Sequence, residues 1–125
     1  METWFNGPMT NDEFDAVVGE ALDGLPDWVH GALDNVVVMV DDHPTRQQDP
    51  HGEGLLGLYE GISLYERGND YSAVMPDTIT IFRRPHLAMG LAHDELRDEI
   101  KTTVVHEIAH HLGIDDARLH ELGWD

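Results

Sequence analysis

The stretch VVHEIAHHLGIDDARLHELGW, Val104 to Trp124, carries four of the nine histidines in the chain. The pattern before and within it predicts a long helix over about 94–112, with a charged, solvated start and an apolar end. Gly113 is predicted to end this helix in the left-handed conformation, and the two aspartates after it to open a short helix through Leu122. The histidines therefore lie on or beside a helix, a sharp turn and a second helix.

Two of these histidines have the spacing of metal ligands. His106 and His110 are four residues apart, so a helix stacks them on one face. Both imidazoles can then reach one zinc ion at a zinc–nitrogen distance of about 2 Å. Glu107 can lean over the open side of that ion and accept a proton from its water. The three residues form the HExxH pattern of zinc-dependent peptidases.

A catalytic zinc site needs a third protein ligand. A left-handed Gly113 turns the chain back under the helix, which can return Asp116 to the metal and complete the pattern HExxHxxGxxD. Asp116 can instead cap the last helix. His120 can replace it as a ligand, hydrogen-bond to it, stabilise a developing oxyanion or stay a solvated surface group. His111 points about 100° away from His110, so it is expected to pack inside or to support the ligands. The histidines without ligand spacing, which receive no role, are His30, His43, His51, His86 and His93.

Two helices are expected near the start of the chain. Thr10 to Glu13 has the form of a capping box that opens an amphipathic helix over about 11–23. Pro26 is expected to open a second short helical turn that carries Trp28.

Three segments have the character of strands. The β-branched run Asn35–Val40 is typical of a strand buried on both faces. Thr78–Phe82 alternates in polarity and is typical of a half-buried strand. Leu55–Tyr59 is a short strand candidate that follows a loop rich in proline and glycine.

The composition limits the classes of function. The formal net charge is −18, and Lys101 is the single lysine. Such a surface keeps a protein soluble, concentrates cations and repels phosphate backbones, so nucleic acid is not an expected partner. The absence of cysteine excludes disulfides and thiolate chemistry and fits a reducing compartment. With no signal peptide and no apolar run that could span a bilayer, we expect one cytoplasmic domain over residues 1–125.

Three motifs together resemble a known family. GLLGLYEG, MPDTITIF and EIKTTVVHEIAHHLGIDDARLHELGW are similar to small bacterial zincin-like proteins within the zincin metallopeptidases. The resemblance covers roughly the last three quarters of the chain. It implies an α+β fold in which a small twisted mixed sheet of about three or four strands packs on a long active-site helix, with an N-terminal helix and a short C-terminal helix. It also implies one zinc ion, with His106, His110 and Asp116 as ligands and Glu107 as general base.

The sequence departs from the larger relatives that share the extended motif. They carry a methionine turn after the third ligand, whereas the last methionine here is Met89, before the motif. Residues 117–125 follow Asp116 where those relatives have a subdomain that walls the cleft. We therefore expect Trp124, with Leu122, to pack beneath the metal site instead.

The residues and the resemblance predict a zinc-dependent peptidase that acts through a metal-activated water. Its substrate would be a short peptide or a flexible protein segment, extended along an exposed strand edge at Thr78–Phe82 or Leu55–Tyr59. The alternative is a weak or inactive zincin-fold protein that serves as a metal-binding or protein-interaction module. A metal-dependent ribonuclease is disfavoured by the acidic surface and by Glu107. The sequence does not indicate an oligomeric state.

Overall fold

The computed structural model describes residues 9–33, 36–61, 77–114 and 116–122, without the side chains of Asp116, Leu119 and Leu122. Its helices are α1 (Asn11–Asp23), α2 (Asp27–Ala32), α3 (Arg83–Leu87), α4 (His93–Leu112) and α5 (Asp116–Leu122). Its strands are β1 (Val36–Asp41), β2 (Gly57–Glu60) and β3 (Asp77–Phe82). The predicted α+β architecture is confirmed: the structure has a small mixed sheet, an N-terminal helix, a long helix α4 and a short last helix α5. Within the described ranges, no helix has the length and apolar character needed to cross a membrane.

The sheet has β3 at its centre. β1 pairs with it in parallel and β2 pairs with it antiparallel, in the order β1-β3-β2. Helix α4 lies against β2 and β3, and α1 packs on α4. The core between these elements includes Phe14, Val17, Val18, Ile79, Ile81, Ile100, Val104 and Ile108. The long helix is therefore held between the sheet and the N-terminal helix.

The predicted bounds of α1 and α4 agree with the structure to within one residue. α1 has the predicted bounds and capping box: the Glu13 N–H donates to the Thr10 hydroxyl at 3.1 Å, and the Thr10 N–H donates to the Glu13 carboxylate at 3.2 Å. The start of α4 is less solvated than predicted, because Leu96 and Ile100 are buried against the core. The short helix α3, directly after β3, was not predicted.

The predicted burial is wrong for two strands. Along β1, half-buried and exposed residues alternate, and Val37 and Met39 are each 41% exposed, so this strand is not buried on both faces. Thr78–Phe82, predicted to be half-buried, lies in β3, which is buried along nearly its whole length. The cause is position: β1 lies at an edge of the described sheet and β3 at its centre. The apolar composition of a strand therefore does not predict whether the strand lies at the centre or at the edge of its sheet.

β2 approaches α4 very closely at Gly57. A Cβ atom on Gly57 would lie 2.8 Å from Thr103 Cγ2 and 3.1 Å from Glu107 Cγ. Thr103 is buried, and its hydroxyl lies 2.9 Å from Nε2 of His86, so its methyl group cannot swing away without breaking that hydrogen bond. Glycine is therefore required here for space between the strand and the helix.

Alanine at Gly57 should push β2 away from α4. We expect Gly57→Ala to lower the free energy of unfolding by about 1–3 kcal/mol, the typical cost of overpacking. Urea denaturation measures this change. The matched control is Gly19→Ala in α1, where an added Cβ meets nothing within 4 Å. That control should raise the free energy of unfolding by up to about 1 kcal/mol, and a similar effect of both substitutions would contradict the steric argument.

Candidate active site

The end of α4 presents the two candidate zinc ligands. The ring centroids of His106 and His110 are 4.8 Å apart, with an angle of 69° between the ring planes. The His106 ring is half-buried and the His110 ring is largely exposed. Gly113 ends the helix in the left-handed conformation, with φ 75° and ψ 25°, as predicted. The two rings therefore lie next to each other on one helix face, as the spacing of four predicts, in an edge-to-face arrangement.

Glu107, the candidate base, follows His106 on α4 and is only 7% exposed. One carboxylate oxygen lies 3.4 Å from Nδ1 of His110. The backbone N–H of Tyr59 also hydrogen-bonds to this carboxylate. Burial raises the pKa of Glu107 above its usual range, while His110, His106 and the Tyr59 N–H act in the opposite direction. A carboxylate with a raised pKa is a stronger base than an exposed one.

The outer edge of β2 runs past Glu107. The Phe82 N–H donates to the Leu56 carbonyl at 2.9 Å, so these two residues face each other in the antiparallel ladder. Hydrogen-bonded and non-bonded pairs alternate in such a ladder, so the backbone groups of Gly57 and Tyr59 face away from β3. No other strand in the described residues pairs with this edge. The expectation that Thr78–Phe82 could offer a substrate edge is wrong, because β3 is paired on both sides.

A buried hydrogen-bond network fixes β2 in place. The Tyr59 hydroxyl donates to Asp77 Oδ2 at 2.8 Å, and Nδ1 of His111 lies 3.0 Å from the same oxygen. Nε2 of His111 lies 3.2 Å from the carbonyl of Ala32, at the end of α2. Asp77 and His111 are both buried. The prediction that His111 points inward, away from the metal ligands, is confirmed.

A second buried histidine supports the other side of the site. His86 has no ligand spacing and no signal in the sequence, yet it is fully buried on α3. Its Nδ1 lies 2.7 Å from the Phe82 carbonyl and its Nε2 lies 2.9 Å from the Thr103 hydroxyl. Burial lowers the pKa of His86, which favours the neutral ring, and Nδ1–H donates to the Phe82 carbonyl because a carbonyl oxygen only accepts. The Thr103 hydroxyl lies within hydrogen-bond distance of both Nε2 of His86 and the Glu99 carbonyl, at 2.9 and 3.0 Å. Thr103 is thereby fixed one helical turn before Glu107.

The predicted third ligand lies on a side chain that is not described. α5 begins at Asp116, as predicted, but the Asp116 and Leu122 side chains and all of Trp124 lie outside the described residues. His120 is described and is exposed on α5. In the part of the chain that is described, no group of three His, Asp or Glu side chains could hold a metal. The neighbouring imidazoles of His106 and His110 can supply two of the three protein ligands that a catalytic zinc ion requires.

A comparison with known families identifies the family of the chain. The family model of the zincin-like metallopeptidases matches residues 33–124. The match spans most of the chain, and the protein therefore belongs to the zincin-like metallopeptidase family. Membership implies a zinc cofactor. No curated protein sequence matches the chain.

The buried His86 should make the stability of the fold depend on pH. Because burial lowers the pKa of His86, the unfolded chain takes up a proton at this residue at a higher pH than the folded protein does. The contribution of His86 to stability is therefore complete above the unfolded pKa of about 6.5 and decreases as the pH falls below it. Thermal denaturation of the chelator-treated protein between about pH 8 and pH 5 measures this decrease.

A variant without the titrating ring isolates this effect. His86→Gln keeps one donor and one acceptor but does not titrate, so its stability should decrease less between neutral and acidic pH. His43→Gln is the matched control, because His43 is exposed on a loop. Equal slopes for the wild type and His86→Gln would contradict the assignment of a neutral, buried ring.

Proposed function

We propose that this protein is a zinc-dependent peptidase that hydrolyses peptide bonds, with Glu107 as the general base. The observation that carries the proposal is a buried carboxylate beside two histidines of one helix face and the outer edge of a strand. Burial raises the pKa of Glu107, while the contact with His110 and the Tyr59 N–H holds the carboxylate in position. A base that is both strengthened and positioned is what hydrolysis by an activated water requires.

His106 and His110 would hold the zinc ion through ring nitrogens, and Asp116 is proposed as the third ligand. The left-handed Gly113 and the start of α5 at Asp116 support this choice, because they turn the chain immediately after the ligand helix. A bound zinc ion supplies Lewis acidity, which lowers the pKa of a water to about 7 and polarises a carbonyl group.

Glu107 would carry the proton during the reaction. Its carboxylate accepts a proton from the attacking water and later donates it to the leaving amine. The Tyr59 N–H and the close contact with β2 keep the carboxylate from rotating away. The buried Tyr59–Asp77–His111 network keeps that N–H in place.

The substrate would be a short peptide or a flexible protein segment. The backbone groups of Gly57 face outward at the edge of β2 and can pair with an extended chain. Such a chain would lie next to Glu107, because β2 and α4 are in contact at Gly57. A folded protein already pairs the backbone of its own strands, so an unstructured segment fits this edge better.

Removal of the base should abolish cleavage and leave binding intact. We expect Glu107→Gln to lower kcat for peptide cleavage by about 100- to 10,000-fold while zinc content stays unchanged. Cleavage of a peptide pool followed by mass spectrometry, with zinc measured in parallel, gives both quantities. Glu53→Gln is the control, because Glu53 is exposed on the loop before β2. Full, chelator-sensitive cleavage by Glu107→Gln would contradict the mechanism, and zinc binding without cleavage by the wild type would favour a binding module.

Zinc affinity should separate the two candidates for the third ligand. Asp116→Asn is expected to weaken zinc binding by more than about 100-fold, whereas loss of a group that only supports a ligand costs about 10- to 100-fold. His120→Gln should therefore have the smaller effect, and His51→Gln, on an exposed loop, should have none. Competition with a chromophoric chelator measures all three affinities. The reverse order for Asp116 and His120 would make His120 the ligand.

A further inference from the structure

We propose that the peptidase prefers substrates that place a long cationic side chain, lysine or arginine, in a pocket beside Glu107, where Glu99 recognises the charge. The inference rests on the proposed function, since it names the substrate class of the same site.

The pocket lies between the start of β2 and helix α4. It has a volume of about 300 Å³, and both His106 and Glu107 line it. Leu55 and Leu56, half-buried residues directly before β2, form an apolar wall. A side chain that enters this pocket therefore starts next to the candidate base and packs against leucine.

Glu99 lines the same pocket two helical turns before His106. Seven residues of helix return to the same face and span about 10 Å, so Glu99 lies at the distant end of the pocket. Its side chain is half-buried, and no described lysine or arginine forms an ion pair with it. The charge of Glu99 acts on the nearby His86, but burial lowers the pKa of His86, which favours its neutral form.

The chemistry of this pocket fits one kind of side chain. The aliphatic stem of lysine or arginine can pack against the leucines while its charged end reaches the carboxylate. An acidic side chain would bring a second negative charge to Glu99, and a long apolar one would leave that carboxylate without a partner. The net charge of −18 also attracts cationic peptides to the protein surface.

The edge of β2 explains how the side chain would enter. The side-chain positions of Gly57 and Tyr59 face α4, and the backbone groups of Gly57 face outward. In an extended peptide paired with this edge, every second side chain also points toward α4. One of these side chains would therefore enter the pocket when the backbone lies beside Glu107.

The test compares peptides that differ only at the residues next to the cleaved bond. After the cleaved bonds are mapped in a peptide pool, kcat/KM is measured for versions with lysine, methionine or glutamate. The wild type should prefer lysine over methionine by roughly five- to tenfold, the value of one charged hydrogen bond in a partly exposed site. Glu99→Gln should reduce this ratio to about one, and Glu99→Lys should favour glutamate instead.

The control is Asp98→Asn, because Asp98 precedes Glu99 on α4 but is exposed and does not line the pocket. It removes the same charge and should leave the lysine-to-methionine ratio unchanged. An equal rate for all three peptides, or a full lysine preference in Glu99→Gln, would overturn the inference while the proposed function stands.

A binding measurement separates the two proposals. Zinc-loaded Glu107→Gln is titrated with fluorescent lysine and methionine peptides, and anisotropy reports their affinities. If the wild type cleaves no peptide, the proposed function fails, and this titration alone decides the inference. The inference predicts that the lysine peptide binds more tightly than the methionine peptide and that this difference disappears in the double variant Glu99→Gln, Glu107→Gln. Equal binding of the two peptides to zinc-loaded Glu107→Gln would overturn the inference.

Discussion

The contact between β2 and α4 at Gly57 is the constraint on which the rest of the site depends. A glycine at this position lets the strand lie against Thr103 and Glu107, which removes the Glu107 carboxylate from water. Burial of a carboxylate is costly, and here the cost is reduced by the Tyr59 N–H and by two neighbouring histidines. The same contact therefore raises the pKa of Glu107 and brings the outer edge of β2 next to it. The candidate base and the proposed surface for an extended peptide thus depend on one packing interaction between a strand and a helix.

Two buried polar contacts keep this interaction in register, and both involve a histidine that is not a candidate ligand. On one side, His86 donates a hydrogen bond to Phe82 and lies within hydrogen-bond distance of the Thr103 hydroxyl, which joins α3, β3 and α4. On the other side, His111 and Tyr59 share Asp77, which joins α4, β2 and β3. A buried polar group that leaves its hydrogen-bond partner loses free energy, so hydrogen-bonded groups in an apolar interior hold one arrangement. These contacts therefore limit the movement of Glu107 relative to the edge of β2.

Features that depend on local sequence could be predicted, and features that depend on distant parts of the chain could not. The capping box of α1, the bounds of α4 and the left-handed Gly113 follow from neighbouring residues. The position of His106 and His110 on one helix face follows from helical periodicity alone. The burial of β1 and β3 was predicted the wrong way round, because the strand order is set by contacts far apart in sequence. The sequence gives no signal for His86 or Glu99 for the same reason: one is a single histidine and the other lies in a charged helical turn. Only the packing of α3 and β2 against α4 brings His86 to Thr103 and places Glu99 in the wall of a pocket.

The central claim is that the two imidazoles of α4 and one further protein ligand hold a zinc ion beside Glu107. Anomalous diffraction at the zinc absorption edge, recorded from a zinc-soaked crystal, tests it most directly. The account predicts one strong anomalous peak within bonding distance, about 2 Å, of a ring nitrogen of His106 and of His110, with an oxygen of Asp116 completing the protein ligands. A peak elsewhere, or a peak at the two histidines with no third protein group near it, would contradict the claim.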